Sequence, residues 1–424
     1  MTININRRKF GIALASAAAL PLLGCVTGRG TGSSGRVVLY QSIGNKLTQY
    51  DVDVEAATLT ERASILMPSV VQYAWIHPSR RFLYASTSDA PPGGAVAGKV
   101  NRLSALRIGT DGALAMHGEP QVLTARPIHN SVDASGAYAL TCYSNPANLT
   151  VHRINSDGKL GAQIVQSGQL NMGIFPHQVL STPAGRSVVM VTRGNSVKAN
   201  KPEDPGALKL YNFRDGQLSP LANLPVGGRG GYGYGPRHLD FHPSRPWVYV
   251  SVERQNQLHM HHIRTDSFFA EPAFIKTTLG GEHEGKHHQV AGAIHVHPRG
   301  HAVYVSNRAS GTVDFNGKPI FAGGENGIAV FSIDPNSGEP TLVQNADTQS
   351  FHPRTFSIDP SGRLLVAATI VDMMVRDGDD VRRVPCALSV FRIAADGRLT
   401  FVRKYDLEVR GQAQLWVGMM ELAN

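Results

Sequence analysis

The stretch FHPSRPWVYVS at residues 241–251 decides how this chain folds. A Pro-Ser turn leads into a run of Trp, Val and Tyr, the residue types that suit a pleated, half-buried strand. The same pattern stands at 75–86 (WIHPSRRFLYAS), 132–142 (VDASGAYALTC) and 181–191 (STPAGRSVVMV). It returns at 296–306 (VHPRGHAVYVS) and 358–368 (IDPSGRLLVAA). With Pro78, Ala134, Pro183, Pro243, Pro298 and Pro360 as the turn positions, the copies are 56, 49, 60, 55 and 62 residues apart. Spacing of that kind belongs to a structural unit used repeatedly.

Each copy carries a third strand and an Asp-Gly-type turn, as in LSALRIGTDGAL from Leu103, LTVHRINSDGKL from Leu149 and LSVFRIAADGRL from Leu388. A fourth strand leads onward. Four antiparallel strands, here a to d from the inside out, make a propeller blade. Six copies are complete. The chain also has strands b, c and d from Arg36, and a spare strand, QAQLWVGMM, from Gln412. The spare strand supplies strand a of the first blade. The expectation is an all-β, seven-bladed β-propeller of four-stranded antiparallel blades, closed by pairing of 412–420 with the strand containing Val37 to Tyr40. Closure removes an edge that would otherwise recruit other chains.

Composition agrees. Of 424 residues, 44 are Gly and 25 Pro, 42% are hydrophobic and 17% charged. That many turn-formers exclude a helical bundle and a coiled coil, and the apolar content excludes a disordered chain. Net charge is +9, of which Arg7, Arg8 and Lys9 supply three, so a chain starting at Cys25 would carry 9 − 3 = +6. No continuous basic run follows residue 9, and nucleic-acid binding is not indicated.

Residues 7–25 read RRKFGIALASAAALPLLGC. A twin-Arg pair, a short apolar run and Leu22-Leu23-Gly24-Cys25 resemble a twin-arginine export signal ending in a lipobox. The expected organisation is a signal over 1–24, a linker over 25–35 and the propeller over 36–424. The expected location is the periplasm or cell envelope, with a lipid anchor on Cys25. The remaining cysteines, Cys142 and Cys386, fall in non-adjacent blades, so no disulfide is expected.

Aligned positions locate a site. Six before the turn stand Gln72, Ile128, His177, Arg237, Gly292 and Arg354. Ten after it stand Ser88, Ser144, Arg193, Glu253, Arg308 and Ile370. In an a–b hairpin these ends lie roughly opposite each other, on one face of the disc around the channel mouth. His177, Arg193, Arg237, Glu253, Arg308 and Arg354 therefore form one cluster in blades four to seven. Pro127, Pro176, Pro236 and Pro353 fix the chain just before strand a. Long b–c loops at 88–101, 193–206, 308–326 and 370–386 rise on the same face, where sites are commonly built.

Other signals carry less. Gly228 to Gly233 matches GxGxxG but opens no helix, so it reads as a loop. His283, His287 and His288 with Glu282 and Glu284 read as a solvated loop rather than a metal site. His259, His261 and His262 share one strand and cannot all converge on an ion. No nucleophile elbow appears.

The stretches FPHQV at 175–179, GPRHLDFHPSRPWVYVSVE at 235–253, VYVSNRASG at 303–311 and HPRTFSIDPSGRLLVA at 352–367 resemble the seven-bladed propeller lactonase family. That family includes propeller-type 6-phosphogluconolactonases and fungal carboxy-muconate lactonizing enzymes. The resemblance implies His177, Arg237, Glu253 and Arg308 as catalytic residues; Arg193, His238 and Arg354 are expected to bind substrate beside them. No cofactor and no metal are expected. The long inserts at 311–325 and 371–384 and the export signal depart from the pattern. The function so implied is hydrolysis of an anionic lactone, with His177 as general base because imidazole titrates near working pH. Three alternatives stand beside it: the reverse lactonizing reaction, an envelope module binding an anionic ligand or protein, and a quinone or metal oxidoreductase propeller.

Overall fold

The computed structural model describes residues 35–91, 98–226, 229–233, 235–264, 267–281 and 288–423. The export segment, Cys25 and the linker up to residue 34 lie outside them. So do Gly228 and residues 282–287 of the His-rich patch.

Among the described residues seven antiparallel blades succeed one another, five with four strands and two with a fifth short strand added on the outside, and two separate two-stranded sheets stand apart from them. In blade 5, for example, the order from the inside is Pro236–Phe241, Trp247–Val252, Gln257–Arg264 and then two short outer strands. Strand b is buried along its whole length in Trp247–Val252 and Ala302–Arg308. An antiparallel strand with one wet face would alternate apolar and polar. Here both faces are covered by neighbouring blades, so the apolar run is continuous. The outer strands Thr58–Leu66 and Gln217–Pro225 are mostly exposed, and their sequences are correspondingly mixed.

The core is divided among seven clusters, one at each blade–blade contact. Val38 and Tyr40 of blade 1 pack on Leu83 and Ala85 of blade 2, while Leu39, from the other face of the same strand, packs on Leu364 and Val366 of blade 7. The ring is therefore sealed by the same kind of interface that separates its other members.

Two recurring clamps tie successive blades. The strand-b hydroxyls of Tyr40, Tyr84, Tyr249 and Tyr304 donate to the carbonyls of Gly112, Gly158, Gly338 and Gly397, at 2.6, 2.7, 2.9 and 2.9 Å. Each acceptor sits in the Asp-Gly-type turn of the next blade. Gly338 has φ +78°, and a Cβ there would lie 2.5 Å from Met260 Cε, so both its backbone and its neighbours require glycine. Likewise His77, His242 and His297, from the His-Pro turns, contact the carbonyls of Gly136, Gly300 and Gly362 through Nε2 at 2.8–2.9 Å. Those turn histidines hold blades together and take no part in the channel.

The C-terminal strand is Val417–Glu421, with Val37 opposite Glu421 and Gln41 opposite Val417. Regular pairing thus begins five residues later than the sequence suggests. Residues 412–416 are attached instead by single bonds, Gly44 N–H to the Ala413 carbonyl (2.9 Å) and Ser42 N–H to the Trp416 carbonyl (3.0 Å). Gln414 leaves the ladder because its amide is buried between Gln41 and the Thr369 carbonyl.

The long inserts are ordered. Residues Thr312–Phe315 and Lys318–Phe321 form one hairpin, Met373–Asp377 and Asp380–Val384 another, and the two pack together with Arg376 over the Phe315 ring at 4.7 Å. Cys142 and Cys386 are buried free thiols.

Candidate functional site

The aligned positions come together, by a geometry that differs from simple cross-strand pairing. In all six hairpins the register slips at the position six before the turn. Pro176 faces Thr192 and Gln178 faces Val191, leaving His177 as the extra residue. Arg237 and Arg354 are extra residues in the same way. A β-bulge re-aims a side chain and bends the strand, and bulges concentrate near sites for that reason. The residues opposite Arg193 and Glu253 are accordingly Phe175 and Gly235, whose carbonyls accept their N–H groups at 3.0 and 2.9 Å. Phe175, Gly235 and His352, each just before the proline, have φ of +57°, +65° and +58°. For Phe and His this is a strained backbone, stored where the chain enters the site.

Glu253 is the centre of one group. Its Oε1 accepts from Arg308 Nη2 at 3.0 Å. Its Oε2 lies 3.6 Å from Arg193 Nη1 and 3.9 Å from Arg237 Nε. Arg308 also donates to the Ala291 carbonyl at 2.6 Å and meets His352 Nε2 at 3.5 Å. The Arg193 guanidinium covers the Phe175 ring at 4.1 Å, a cation–π contact. Burial raises the Glu253 pKa, but Arg308, Arg193 and Arg237 more than reverse this and hold the carboxyl below its usual range.

A second group lies beside it. Gln72, Tyr73, Ile128, His177, Arg237, His238, Arg354, Thr355 and Leu415 line one narrow pocket, with contributions from six blades. The His177 and His238 rings lie 5.1 Å apart, and His129 and Tyr73 continue the aromatic wall. Several buried polar atoms make no hydrogen bond among the described residues: His177 Nδ1, Arg237 Nη1, Arg308 Nε, Arg193 Nε and Glu253 Oε2. Buried polar groups are ordinarily paired, so such a concentration marks a place prepared for water or a ligand.

Of the site residues read from the sequence within the propeller, His177, Arg237, His238 and Arg354 line this pocket, and Arg193 and Arg308 join Arg237 around Glu253. One reason given for His177 needs correction. Burial first, then the charges of Arg237, Arg193, Arg354 and Arg308, hold its imidazole well below the usual range. It is neutral at working pH and does not titrate near it. His352 is held down to about 2 by burial and then Arg308. Two residues of the site escaped the sequence reading, His352 and Arg126, the latter donating from Nε to Gln72 Oε1 at 2.9 Å. Both stand eight before the turn, in the same column as Phe175, so extending the alignment by two positions would have exposed them. His259 and His261 are buried on one side of their strand, and His262 packs on Phe269. Among the described residues no group of three or more His, Cys, Asp or Glu is placed to hold a metal ion.

Comparison with known proteins adds the family. The model of the family described as lactonase, 7-bladed beta-propeller, matches residues 37–372. The 6-phosphogluconolactonase of Bacillus subtilis is 26% identical over 322 residues, covering 75% of this chain and 82% of that protein. The enzyme of the same name from Yersinia enterocolitica is 23% identical, with 85% and 91% covered. Among solved structures, the periplasmic gluconolactonase of Pseudomonas aeruginosa has a TM-score of 0.64 at 19% identity, covering 90% of this chain and 99% of that one. A protein from Lactobacillus plantarum also reaches 0.64, at 20% identity with 91% and 100% covered. At such identities the structural likeness speaks to the fold.

Proposed function

The chain belongs to the seven-bladed β-propeller lactonase family, and on that premise we propose that it hydrolyses an anionic lactone at the channel mouth. The observation that carries this reading is the single carboxylate, Glu253, set among Arg193, Arg237 and Arg308 beside the unpaired His177 nitrogen. In the proposed reaction Arg237 and Arg308 receive the lactone carbonyl and stabilise the oxyanion that forms when water attacks. His177 takes the proton of that water. The ring C–O bond then breaks, and the leaving oxygen takes up the proton as the hydroxy acid forms. Glu253 stays ionised and orients the arginines.

The low basicity of His177 favours an anionic substrate. Burial and then four arginines depress it, and an anion seated among the arginines cancels part of their field and restores basicity only when the site is filled. The phosphosugar lactone belongs to cytoplasmic metabolism, whereas residues 7–25 carry an export pattern, so the favoured substrate bears a carboxylate and is met outside the cytoplasm.

A turnover screen of anionic and neutral lactones on the chain from residue 25 tests this. His177→Ala should abolish turnover. Arg308→Lys should lower kcat/KM although it conserves charge, because an ammonium cannot reproduce a two-pronged contact. Arg308→Met should lose at least as much, about 1.5–3 kcal/mol for a charged hydrogen bond. If the Arg308 variants process both lactone classes as the parent does, the arginines are only a solvated surface. If no lactone is turned over while anions still bind, the propeller is a binding module.

The proposal extends to location. Cys25 is taken as the site of lipid attachment. In cells fed labelled palmitate the parent chain should incorporate label and Cys25→Ser should not; equal labelling would dismiss the anchor.

A further inference from the structure

Beside the group around Glu253 lies a second set of cations. Arg126 enters from the loop before Pro127 in blade 3 and is 6% exposed. Its Nε donates to Gln72 Oε1 at 2.9 Å, and Gln72 is the bulge residue of blade 2. Gln72 in turn lines the same narrow pocket as Arg354 of blade 7. Among the described residues neither the Arg126 nor the Arg354 guanidinium is ion-paired to a carboxylate, and the Arg354 side chain makes no hydrogen bond. The contrast with Arg308 is plain, since that guanidinium is bonded to both Glu253 and a backbone carbonyl.

Two arginines largely removed from water, neither ion-paired to a carboxylate among the described residues, repel each other and lose hydration. The effect is registered at Arg354, whose pKa is lowered to about 10 by burial, then by the charge of Arg308, then by that of Arg126, with Glu253 offsetting only part of it. A fold has no reason to keep such an arrangement for stability alone. We infer that Arg126 and Arg354, with Gln72 holding Arg126 in place, form a subsite for a second, non-reacting anionic group of the substrate, a carboxylate or a phosphate. The inference rests on the lactone reading of the channel and makes it narrower. The ring carbonyl is taken up in blades 4 to 6, at His177, Arg237 and Arg308. The distal anion is held in blades 2, 3 and 7. A guanidinium is suited to this because its planar fork matches the geometry of either oxyanion.

The test compares three probes: glucono-δ-lactone (neutral), a glucaric acid lactone (carboxylated) and 6-phosphogluconolactone. The quantity read is the ratio of kcat/KM for an anionic probe to that for the neutral one. Arg126→Met should lower the preferred anionic ratio about 10- to 100-fold, mainly through KM, the range expected for one charged hydrogen bond. Arg107→Met, on an exposed strand position outside the channel, should leave the ratio where it was. Which of the two anionic probes loses more identifies carboxylate or phosphate as the group held. Should Arg126→Met fail to fold by thermal melting, Arg126→Lys and Arg354→Met are read in the same way. In parallel, calorimetric titration with malonate and with inorganic phosphate should give weaker binding in each folded variant than in the parent. An unchanged ratio together with unchanged malonate and phosphate binding overturns the subsite. If the parent turns over none of the three probes, the lactone reading is what fails, and the titrations still decide whether Arg126 holds an anion.

Discussion

Glu253→Gln should be among the most damaging single substitutions in this protein, for folding and for turnover together. The amide is nearly isosteric with the carboxylate, so packing is kept and charge alone is lost. Arg308 keeps only a neutral acceptor where it had a carboxylate at 3.0 Å, and Arg193 and Arg237 lose the one carboxylate paired with them among the described residues. Breaking a buried pair so that a charge is left uncompensated costs about 3–5 kcal/mol. Three arginines share this carboxylate, whose side chain is 12% exposed, which argues against heavy solvent screening. Turnover should fall about 100-fold or more, as when one stabilising group at a developing oxyanion is removed. The pH dependence identifies the cause. A carboxyl whose folded pKa is depressed contributes stability that is fully present above its unfolded value, near 4.5, and lost as pH falls through the lower folded value. The melting difference between parent and Glu253→Gln should therefore be full at neutral pH and shrink progressively below about pH 4.5. A difference that stays constant through the acid range would mean that the substitution acts through shape, and that the arginines do not depend on this charge.

Much of this architecture could be read from the chain because a propeller states its design several times. One Pro-Ser-Gly turn proves little, but six copies with Asp-Gly turns between them define strands, blades and ring. The same redundancy singled out the candidate cluster, since His177, Arg237 and Arg354 occupy one column and Arg193, Glu253 and Arg308 another. What the columns could not convey is the bulge. Pairing by counting assumes one residue opposite one, and an extra residue in each inner strand shifts every partner beyond it. Arg126 and His352 lay two positions outside the columns and were missed for that reason. The turn histidines posed the opposite problem. His77, His242 and His297 look as chemical as His177, and only the neighbouring blade's glycine carbonyl shows that they are clamps. The state of His177 was also beyond reach, because a pKa depends on burial and on the summed charge of arginines brought from three other blades.

Removing residues 410–424 should leave no cooperative melting transition, and the truncated chain should aggregate. The segment contributes strand a of blade 1, and without it Val37–Ile43 becomes an uncovered inner edge with free N–H and C=O groups. It also supplies apolar side chains to both interfaces of that blade. Trp416, Met420 and Leu422 belong to the contact with blade 2, and Val417 and Met419 to the contact with blade 7. Each such side chain contributes roughly 1.5–3 kcal/mol when fully buried. Five of them approach or exceed the whole net stability of a typical domain, about 5–15 kcal/mol. The bonds from Ser42 and Gly44 to the Trp416 and Ala413 carbonyls, and from Met419 N–H to Ser357 Oγ, would go as well. A milder variant separates edge exposure from core loss. Met420→Ala keeps the strand and its ladder, and should cost about 2–5 kcal/mol while still melting cooperatively. If the truncated chain melts as the full one does, six blades and a remnant suffice, and the pairing of Val417–Glu421 with Val37–Ile43 is not what closes the ring.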